Sequence, residues 1–353
     1  MKRFYEPSLD TLDVLSRPFL CSYSGGKDST SLVTWIEWLR RADLIDAPSP
    51  ALVMSDTGVE YPFLADTSKR MMDALSASGW NCEVVVPPLA KRLYVQIFGR
   101  GVYPISPQYQ RGMRWCTRAT KVDPMEKWGG RAERTMVSGV RFGESSSRDQ
   151  KILKTGCSPG GECGVIGVEN LRYAPIVQWT DCHVLDWLCG SVDSEVRHEL
   201  KRDLYPITAN LVRIYDPKKS GTGFGLAPQK VSMSRFGCIG CPAITPRSGQ
   251  RNVRNFPDMK SQVGAIYGLW DRCWDKRNRL VKLKNGKWVS GPIKMESRQL
   301  LFAELLAIQN SGSLKLVTAE EEAFIRQCWV DKVYSRGWSA EDEKNVYRPL
   351  SEL

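Results

Sequence analysis

The chain has 353 residues, 42% hydrophobic and 25% charged, with a formal net charge of +11. That composition is ordinary for a soluble globular protein of one large or two ordinary domains. No run of about 18 apolar residues occurs, so neither a membrane-spanning helix nor a membrane partner is expected. The opening Met1-Lys2-Arg3-Phe4-Tyr5-Glu6-Pro7 lacks the apolar stretch of a signal peptide, and the expected location is the cytoplasm.

In chain order, Pro18-Phe19-Leu20-Cys21-Ser22-Tyr23 reads as a buried strand of a parallel sheet. A glycine turn follows, and Leu32, Val33, Ile36 and Leu39 then fall at helical spacing over Ser29 to Leu39. Ala51-Leu52-Val53-Met54 is a second strand, ending at Ser55-Asp56-Thr57. A helical stretch around Met71 to Leu75 leads to a third strand, Cys82-Glu83-Val84-Val85-Val86, and Thr135 to Val140 is a fourth. Strands alternating with helices predict an α/β fold with a mainly parallel twisted sheet and flanking helices. A Gly- and Cys-rich loop runs from Gly156 to Gly167. Thr180 or Asp181 is a candidate cap for a helix through His183, Val184, Leu185, Trp187 and Leu188. Beyond Pro242 the character shifts, and Glu296–Gln309 and Ala319–Val333 read as helices. The expected division is a domain over residues 1–244 that includes the Cys-rich loop, and a basic, mainly helical C-terminal region over residues 245–353.

The segment Ser24-Gly25-Gly26-Lys27-Asp28-Ser29-Thr30 joins the first strand to the first long helix. A glycine turn in that place is a phosphate cradle, because backbone N–H groups and the helix N-terminus face the anion. Gly25 and Gly26 permit close approach, Lys27 offsets phosphate charge, and Ser24, Ser29 and Thr30 offer hydroxyls. Lys27 and Asp28 are expected on a solvent-facing turn. This is not a Walker A loop, which requires glycine five residues before Gly-Lys-Ser/Thr. Cys21 stands there, and Asp28 follows Lys27.

The order Ser-Gly-Gly-x-Asp-Ser-Thr after a strand resembles the PP-loop of ATP pyrophosphatases, which split ATP into AMP and pyrophosphate. Further blocks are similar to the phosphoadenylylsulfate (PAPS) reductase branch of that superfamily. They are Ser55-Asp56-Thr57 with Glu60-Tyr61-Pro62; Arg114-Trp115-Cys116-Thr117 with Lys121 and Pro124; Gly139-Val140-Arg141 with Glu144, Ser145 and Arg148; Tyr173-Ala174-Pro175-Ile176 with Trp179-Thr180; and Arg235-Phe236-Gly237-Cys238-Ile239-Gly240-Cys241. With Arg298-Gln299-Leu300-Leu301, Glu320-Glu321 and Ile325, the series from about residue 18 to 335 resembles the DndC/SspD family of DNA phosphorothioation proteins. The resemblance implies an adenine nucleotide alpha hydrolase-like fold. It implies ATP and Mg²⁺ held by Ser24 to Thr30, Ser55, Asp56, Thr57 and Gly139. It gives catalytic roles to Lys27, Asp28, Cys116, Arg141 and Arg148. The implied reaction makes an adenylate on a non-bridging oxygen of a DNA phosphate, after which sulfur displaces AMP, as a bacterial defence mark. The implied partners are DNA, a cysteine desulfurase as sulfur donor, and other phosphorothioation subunits.

Eleven cysteines are many for a reduced compartment and do not read as a secreted disulfide scaffold. Cys238-x-x-Cys241 has metal-ligand spacing, and Cys157 and Cys163 lie in the glycine-rich loop. Four thiolates suit a 4Fe–4S cluster or structural zinc; the resemblance favours the iron–sulfur cluster on Cys157, Cys163, Cys238 and Cys241. The family's usual cysteine shortly upstream of the C-x-x-C pair is missing. Cys116, between Arg114 and Arg118, is expected to have a lowered pKa and to carry persulfide sulfur, or else to serve as a cluster ligand. Cys21, Cys82, Cys182, Cys189, Cys273 and Cys328 are expected to be buried small hydrophobes. His183 and His198 are expected to be structural. From Thr245 to Leu300, thirteen basic residues face four acidic ones, with Trp270, Trp274 and Trp288 among them, a pattern suited to a phosphate backbone. Two other activities share much of this pattern. One is a sulfonucleotide reductase, which relies on a catalytic cysteine near the C-terminus, whereas none follows Cys328 here. The other is a tRNA thiolase.

Overall fold

Phe19–Tyr23 (β1), Ala51–Ser55 (β2), Asn81–Val85 (β3), Thr135–Ser138 (β4) and Arg172–Tyr173 (β5) form one sheet in the order β3-β2-β1-β4-β5. Every pairing is parallel. The computed structural model describes residues 3–47, 50–105, 114–128, 134–144, 146–155, 172–201, 203–215, 236–254 and 256–345. The sheet belongs to the first of two compact units, made of Met1–Ser55, Pro62–Val85 and Trp128–Phe236. The second comprises Asp56–Tyr61, Val86–Lys127 and Gly237–Leu353.

β1 is the central strand. Its Leu20 lies opposite Ala51 on one side and Met136 on the other, and Leu20 and Cys21 are fully buried. A strand covered on both faces needs an unbroken apolar run, which is why no alternation marks it. The chain passes from β1 through β2 to β3 on one side, then returns to place β4 on the other. The reversal opens a crevice beyond the C-terminal ends of β1 and β4, the usual ligand position in such sheets.

The helices of this unit are Leu9–Leu15 (α1), Lys27–Arg41 (α2), Pro62–Ala77 (α3), Ser146–Leu153 (α6), Asp181–Leu188 (α7), Ser194–Lys201 (α8) and Tyr205–Tyr215 (α9). α2 buries Leu32, Val33, Ile36 and Leu39 completely. Trp187 of α7 donates from Nε1 to Thr34 Oγ1 of α2 at 2.9 Å, and Trp35 and Trp179 meet edge to face. These contacts pack α7 against the middle of α2, and the Lys27–Asp181 pair joins the starts of the two helices. Thr180, not Asp181, caps α7. Its Oγ1 accepts from His183 N at 3.2 Å, and its own N–H donates to His183 Nδ1 at 3.3 Å. Phe4 stacks on the His183 ring, so His183 is structural as expected. His198 is exposed instead, near Glu199.

The second unit contains Trp115–Thr117 (α4), a wide helical turn over Arg118–Val122, Asp123–Lys127 (α5), Pro246–Asn252 (α10), Pro257–Trp274 (α11), Met295–Asn310 (α12) and Ala319–Val330 (α13). Tyr94, Phe98 and Trp270 stack nearly parallel at its centre. Alongside the expected helices stands an antiparallel hairpin, Arg279–Lys284 (β6) and Lys287–Ile293 (β7). Its two-residue turn is Asn285-Gly286, both at positive φ, 51° and 72°, the turn whose twist matches paired strands.

The basic stretch is not all surface. Arg298 is fully buried and donates to the carbonyls of Ile293, Gly99 and Val333. Arg279 lies over the Tyr103 ring and donates to the carbonyls of Ser290 and Gly291. Trp270 is core, and Trp274 donates to the Pro104 carbonyl. Arg247, Arg251, Arg254 and Lys260 are exposed on and after α10. Among the described residues, no helix is long and apolar enough to cross a membrane.

Candidate active site

β1 ends at Tyr23 and α2 begins at Lys27, so the glycine segment turns at the β1 side of the crevice. Gly25 adopts φ +69°, and a Cβ on it would fall 1.9 Å from Ser68 Oγ; the position therefore requires glycine. Gly26 is the N-cap of α2 and supplies no side-chain cap, which leaves first-turn N–H groups to another acceptor. The turn is braced from within. Ser29 Oγ donates to Gly26 O at 3.1 Å, accepts from Ser24 N at 3.3 Å and lies 3.0 Å from Ser24 Oγ. Thr30 Oγ1 lies 3.3 Å from the Tyr23 hydroxyl.

Four charges meet at this turn. Lys27 Nζ donates to Asp28 Oδ1 at 2.8 Å and to Asp181 Oδ1 at 2.9 Å. Arg141, reached through the β4 end, donates from Nε to the same Asp28 oxygen and from Nη2 to the same Asp181 oxygen, both at 2.7 Å. Its Nη1 donates to the Trp179 carbonyl at 2.8 Å. Two cations are thus bridged by two single carboxylate oxygens. Burial works against the Arg141 charge, but Asp28 and Asp181 outweigh it and hold the guanidinium above its ordinary range. Burial alone would lift the Asp181 carboxyl, but Lys27 and Arg141 hold it below the usual carboxylate range. Lys27 is buried at 6% exposure and Asp28 only partly exposed. The solvent-facing turn expected of them is corrected, because α7 and the β4 end close over the first turn of α2.

Gly139 lies against the same turn. A Cβ there would sit 2.8 Å from the Asp28 carbonyl oxygen and 3.0 Å from Ser29 N. The glycine lets the β4 end pack on the backbone of the phosphate turn. Arg148 is half exposed and ion-paired with Glu144, which also accepts from Arg141 N. Ser55 closes β2 in the first unit. Asp56 and Thr57 belong to the second unit and form their own turn, with Gly58 N donating to Asp56 Oδ1 at 2.8 Å and Thr57 Oγ1 donating to Glu60 Oε1 at 2.5 Å. Asp181 is the functional candidate that sequence reasoning missed; it entered only as a possible cap. Its signal was position, one residue after Trp179-Thr180 in the fourth matching block.

The second unit holds the C-x-x-C turn. Gly240, at φ +54°, lets it fold against Ile266 of α11. Trp270 Nε1 donates to Gly240 O at 2.6 Å, the Tyr267 hydroxyl donates to Cys241 O at 3.3 Å, and Ile239 N donates to Val59 O at 2.8 Å. Burial, then the neighbouring Cys241, pushes the Cys238 thiol up to about 12, and burial also raises Cys241. Cys116 is close enough to be felt electrostatically by both. Its expected low pKa is corrected: burial outweighs hydrogen bonding from Thr117 and the charge of Arg114, and raises it. Arg118 is engaged with Asp123.

Two rigidly held thiols suit a thiophilic metal in donor chemistry. Among the described residues no three Cys, His, Asp or Glu side chains are disposed to hold one. Cys157 and Cys163 lie outside the described residues. Cys21, Cys273 and Cys328 are buried as expected, whereas Cys182 is exposed on the first turn of α7 and Cys82 and Cys189 are partly exposed.

No curated protein matches the chain significantly. The family described as phosphoadenosine phosphosulfate reductase domain matches residues 18–194, about half of the chain. That span takes in all five parallel strands, the glycine turn, Arg141 and Asp181. A parallel sheet with its switch point at β1 and β4, a glycine turn there, and a match across both agree: the chain belongs to the phosphoadenosine phosphosulfate reductase domain family.

Proposed function

We propose that the chain is an ATP pyrophosphatase that couples cleavage to AMP and pyrophosphate with sulfur transfer onto a DNA backbone phosphate. The observation that carries this reading is the pairing of Lys27 and Arg141 at the uncapped N-terminus of α2, at the sheet's switch point. Phosphoryl transfer needs positioning and charge stabilisation more than covalent help from the protein. Backbone N–H groups of the turn would grip the phosphates, and Lys27 and Arg141 would offset the charge that builds on departing pyrophosphate. Arg141 brings a fixed fork that a lysine lacks. Asp28 keeps both cations aimed and would help to hold Mg²⁺, which would supply further positive charge against the phosphates.

In the proposed sequence, a non-bridging DNA phosphate oxygen attacks the α-phosphorus of ATP and pyrophosphate leaves. Hydrosulfide then attacks the DNA phosphorus, and AMP departs with the original oxygen. If the sulfur is instead the outer sulfur of a Cys116 persulfide, the same displacement leaves a Cys116–S–S–P link. A second thiol, as reductant, then attacks the Cys116 sulfur to release the phosphorothioate and leave Cys116 in a disulfide with that thiol. Cys238 and Cys241, with Cys157 and Cys163, are the proposed holders of a 4Fe–4S cluster, zinc being the alternative. When bound, the cluster supplies a store or relay of electrons. The exposed Arg247, Arg251, Arg254 and Lys260 are the proposed DNA contacts, and a cysteine desulfurase is the proposed donor.

Pyrophosphate release from ATP, followed with and without DNA and sulfide, tests the reading, together with mass spectrometry of the DNA for phosphorothioate. The family match also favours a second reading, a sulfonucleotide reductase. Release of sulfite from a sulfonucleotide, with no pyrophosphate from ATP, would establish that reading instead.

A further inference from the structure

We propose that Asp181 is a carboxylate latch on the phosphate site, which a pyrophosphate group must displace and which sets how much anionic charge the site demands. The proposal rests on the reading that Lys27 and Arg141 bind phosphate, and it adds a residue that sets the same opening cost for every anion.

Asp181 Oδ1 lies 2.9 Å from Lys27 Nζ and 2.7 Å from Arg141 Nη2. Those are the separations at which the two cations would hold a phosphoryl oxygen. Asp28 makes the matching bridge on the other side, at 2.8 and 2.7 Å. The two carboxylates are not equivalent. Asp28 follows Lys27 in the chain, and its side chain is 22% exposed. Asp181 comes from a different helix and is 51% exposed, so it can turn out to solvent without dragging the turn with it. As the first residue of α7, it keeps a favourable helix dipole when it does so. With Asp181 engaged, the four side chains sum to zero charge. With it turned away, the remaining three carry one net positive charge at the mouth of the turn.

An incoming anion therefore competes with a carboxylate for the same two donors. Its apparent affinity is reduced by the fraction of molecules in which the latch is shut. Pyrophosphate, with several oxygens and a higher charge, recovers the displaced contacts. Inorganic phosphate meets the same opening cost with fewer contacts to set against it, so the latch leaves it weakly held and helps to clear single-phosphate anions.

The test is calorimetric titration of pyrophosphate, then inorganic phosphate, into the full chain and into Asp181→Asn, which keeps the shape and loses the charge. The latch predicts that Asp181→Asn binds pyrophosphate roughly tenfold tighter than the wild type, within the usual range of coupling between competing events. It also predicts that phosphate gains by a similar factor, because both anions must open the same latch, and that pyrophosphate raises the melting temperature of Asp181→Asn more than that of the wild type. If the wild type binds pyrophosphate and the variant binds it equally or more weakly, Asp181 is a structural ion pair and the latch is overturned while the phosphate reading stands. If neither folded protein binds pyrophosphate, the phosphate reading falls and takes the latch with it. Should Asp181→Asn not fold, Asp181→Ser decides. It too removes the charge and keeps a hydroxyl at the start of the helix, so severalfold tighter pyrophosphate binding than the wild type is expected. Equal or weaker binding would overturn the proposal.

Discussion

Lys27 is a cation at the first helical position of α2, the end where the helix dipole is already positive. It is buried there between Asp28 and Asp181. A local choice that opposes the electrostatics of its element signals function rather than stability. Replacing Lys27 with Ala is expected to lower ATP cleavage by about 10²- to 10³-fold, the usual cost of removing one preorganised charge-stabilising donor, in a protein that still folds; cleavage kinetics alongside circular dichroism check it. Arg141 does more for the fold, because besides sharing both carboxylates with Lys27 it donates to the Trp179 carbonyl, which its removal would leave unpaired. Arg141→Ala is expected to destabilise by roughly 3–5 kcal/mol, as for other broken buried pairs, read from denaturant midpoints. The loop cation was legible in the sequence. That Arg141 would join it was legible only through family resemblance, since 113 residues separate it from Asp28. Asp181 was not legible as a partner, because no local pattern distinguishes a first-turn acid that serves the dipole from one that reaches across to another helix.

At the scale of elements, β1 to β4 and the helices at Lys27–Arg41, Asp181–Leu188 and Met295–Asn310 were readable from apolar runs and 3.6-residue spacing, whereas β5, only two residues long, carries no such run. The β6–β7 hairpin was not read, although Asn285-Gly286 between apolar-polar flanks is a strong hairpin signal; the surrounding charge drew the eye instead. Gly286→Ala is expected to cost about 1 kcal/mol, because its φ of +72° suits glycine, measurable as a lowered melting temperature. Gly139→Ala tests a different physical effect, overpacking against the Asp28 carbonyl. It is expected to cost about 1–3 kcal/mol and to reduce ATP cleavage by shifting the turn, whereas the Gly286 variant, in a hairpin that contributes no residue to the proposed site, is expected to leave cleavage unchanged. The low pKa expected of Cys116 failed because adjacent arginines are visible in sequence and burial is not.

For the whole molecule, the shift to basic composition near residue 245 marks only the last segment of the second unit. That unit also takes in Asp56–Tyr61 and Val86–Lys127, which no compositional feature sets apart. Acid should weaken the first unit in a defined window. Burial would raise the Asp203 carboxyl, but Arg41 holds it below its ordinary value, and Asp181 is lowered likewise. A depressed carboxylate contributes stability that is complete above its unfolded pKa of about 3.9 and is lost as pH falls through the folded value. Asp203→Asn is therefore expected to flatten the fall of unfolding midpoint below about pH 4. Iron quantitation after anaerobic purification bears on the thiols: Cys238→Ser is expected to lower bound iron, and Cys116→Ser to spare it while stopping sulfur transfer. Loss of iron from the Cys116 variant would move that residue into the ligand set.

The most direct measurement is a crystal structure of the chain with a non-hydrolysable ATP analogue and Mg²⁺. The account predicts the β- and γ-phosphates on the N–H groups of Gly25 to Ser29, with Lys27 and Arg141 on their oxygens and Asp181 turned aside. Triphosphate bound elsewhere, with the glycine turn unengaged and Lys27 still on both carboxylates, would contradict it.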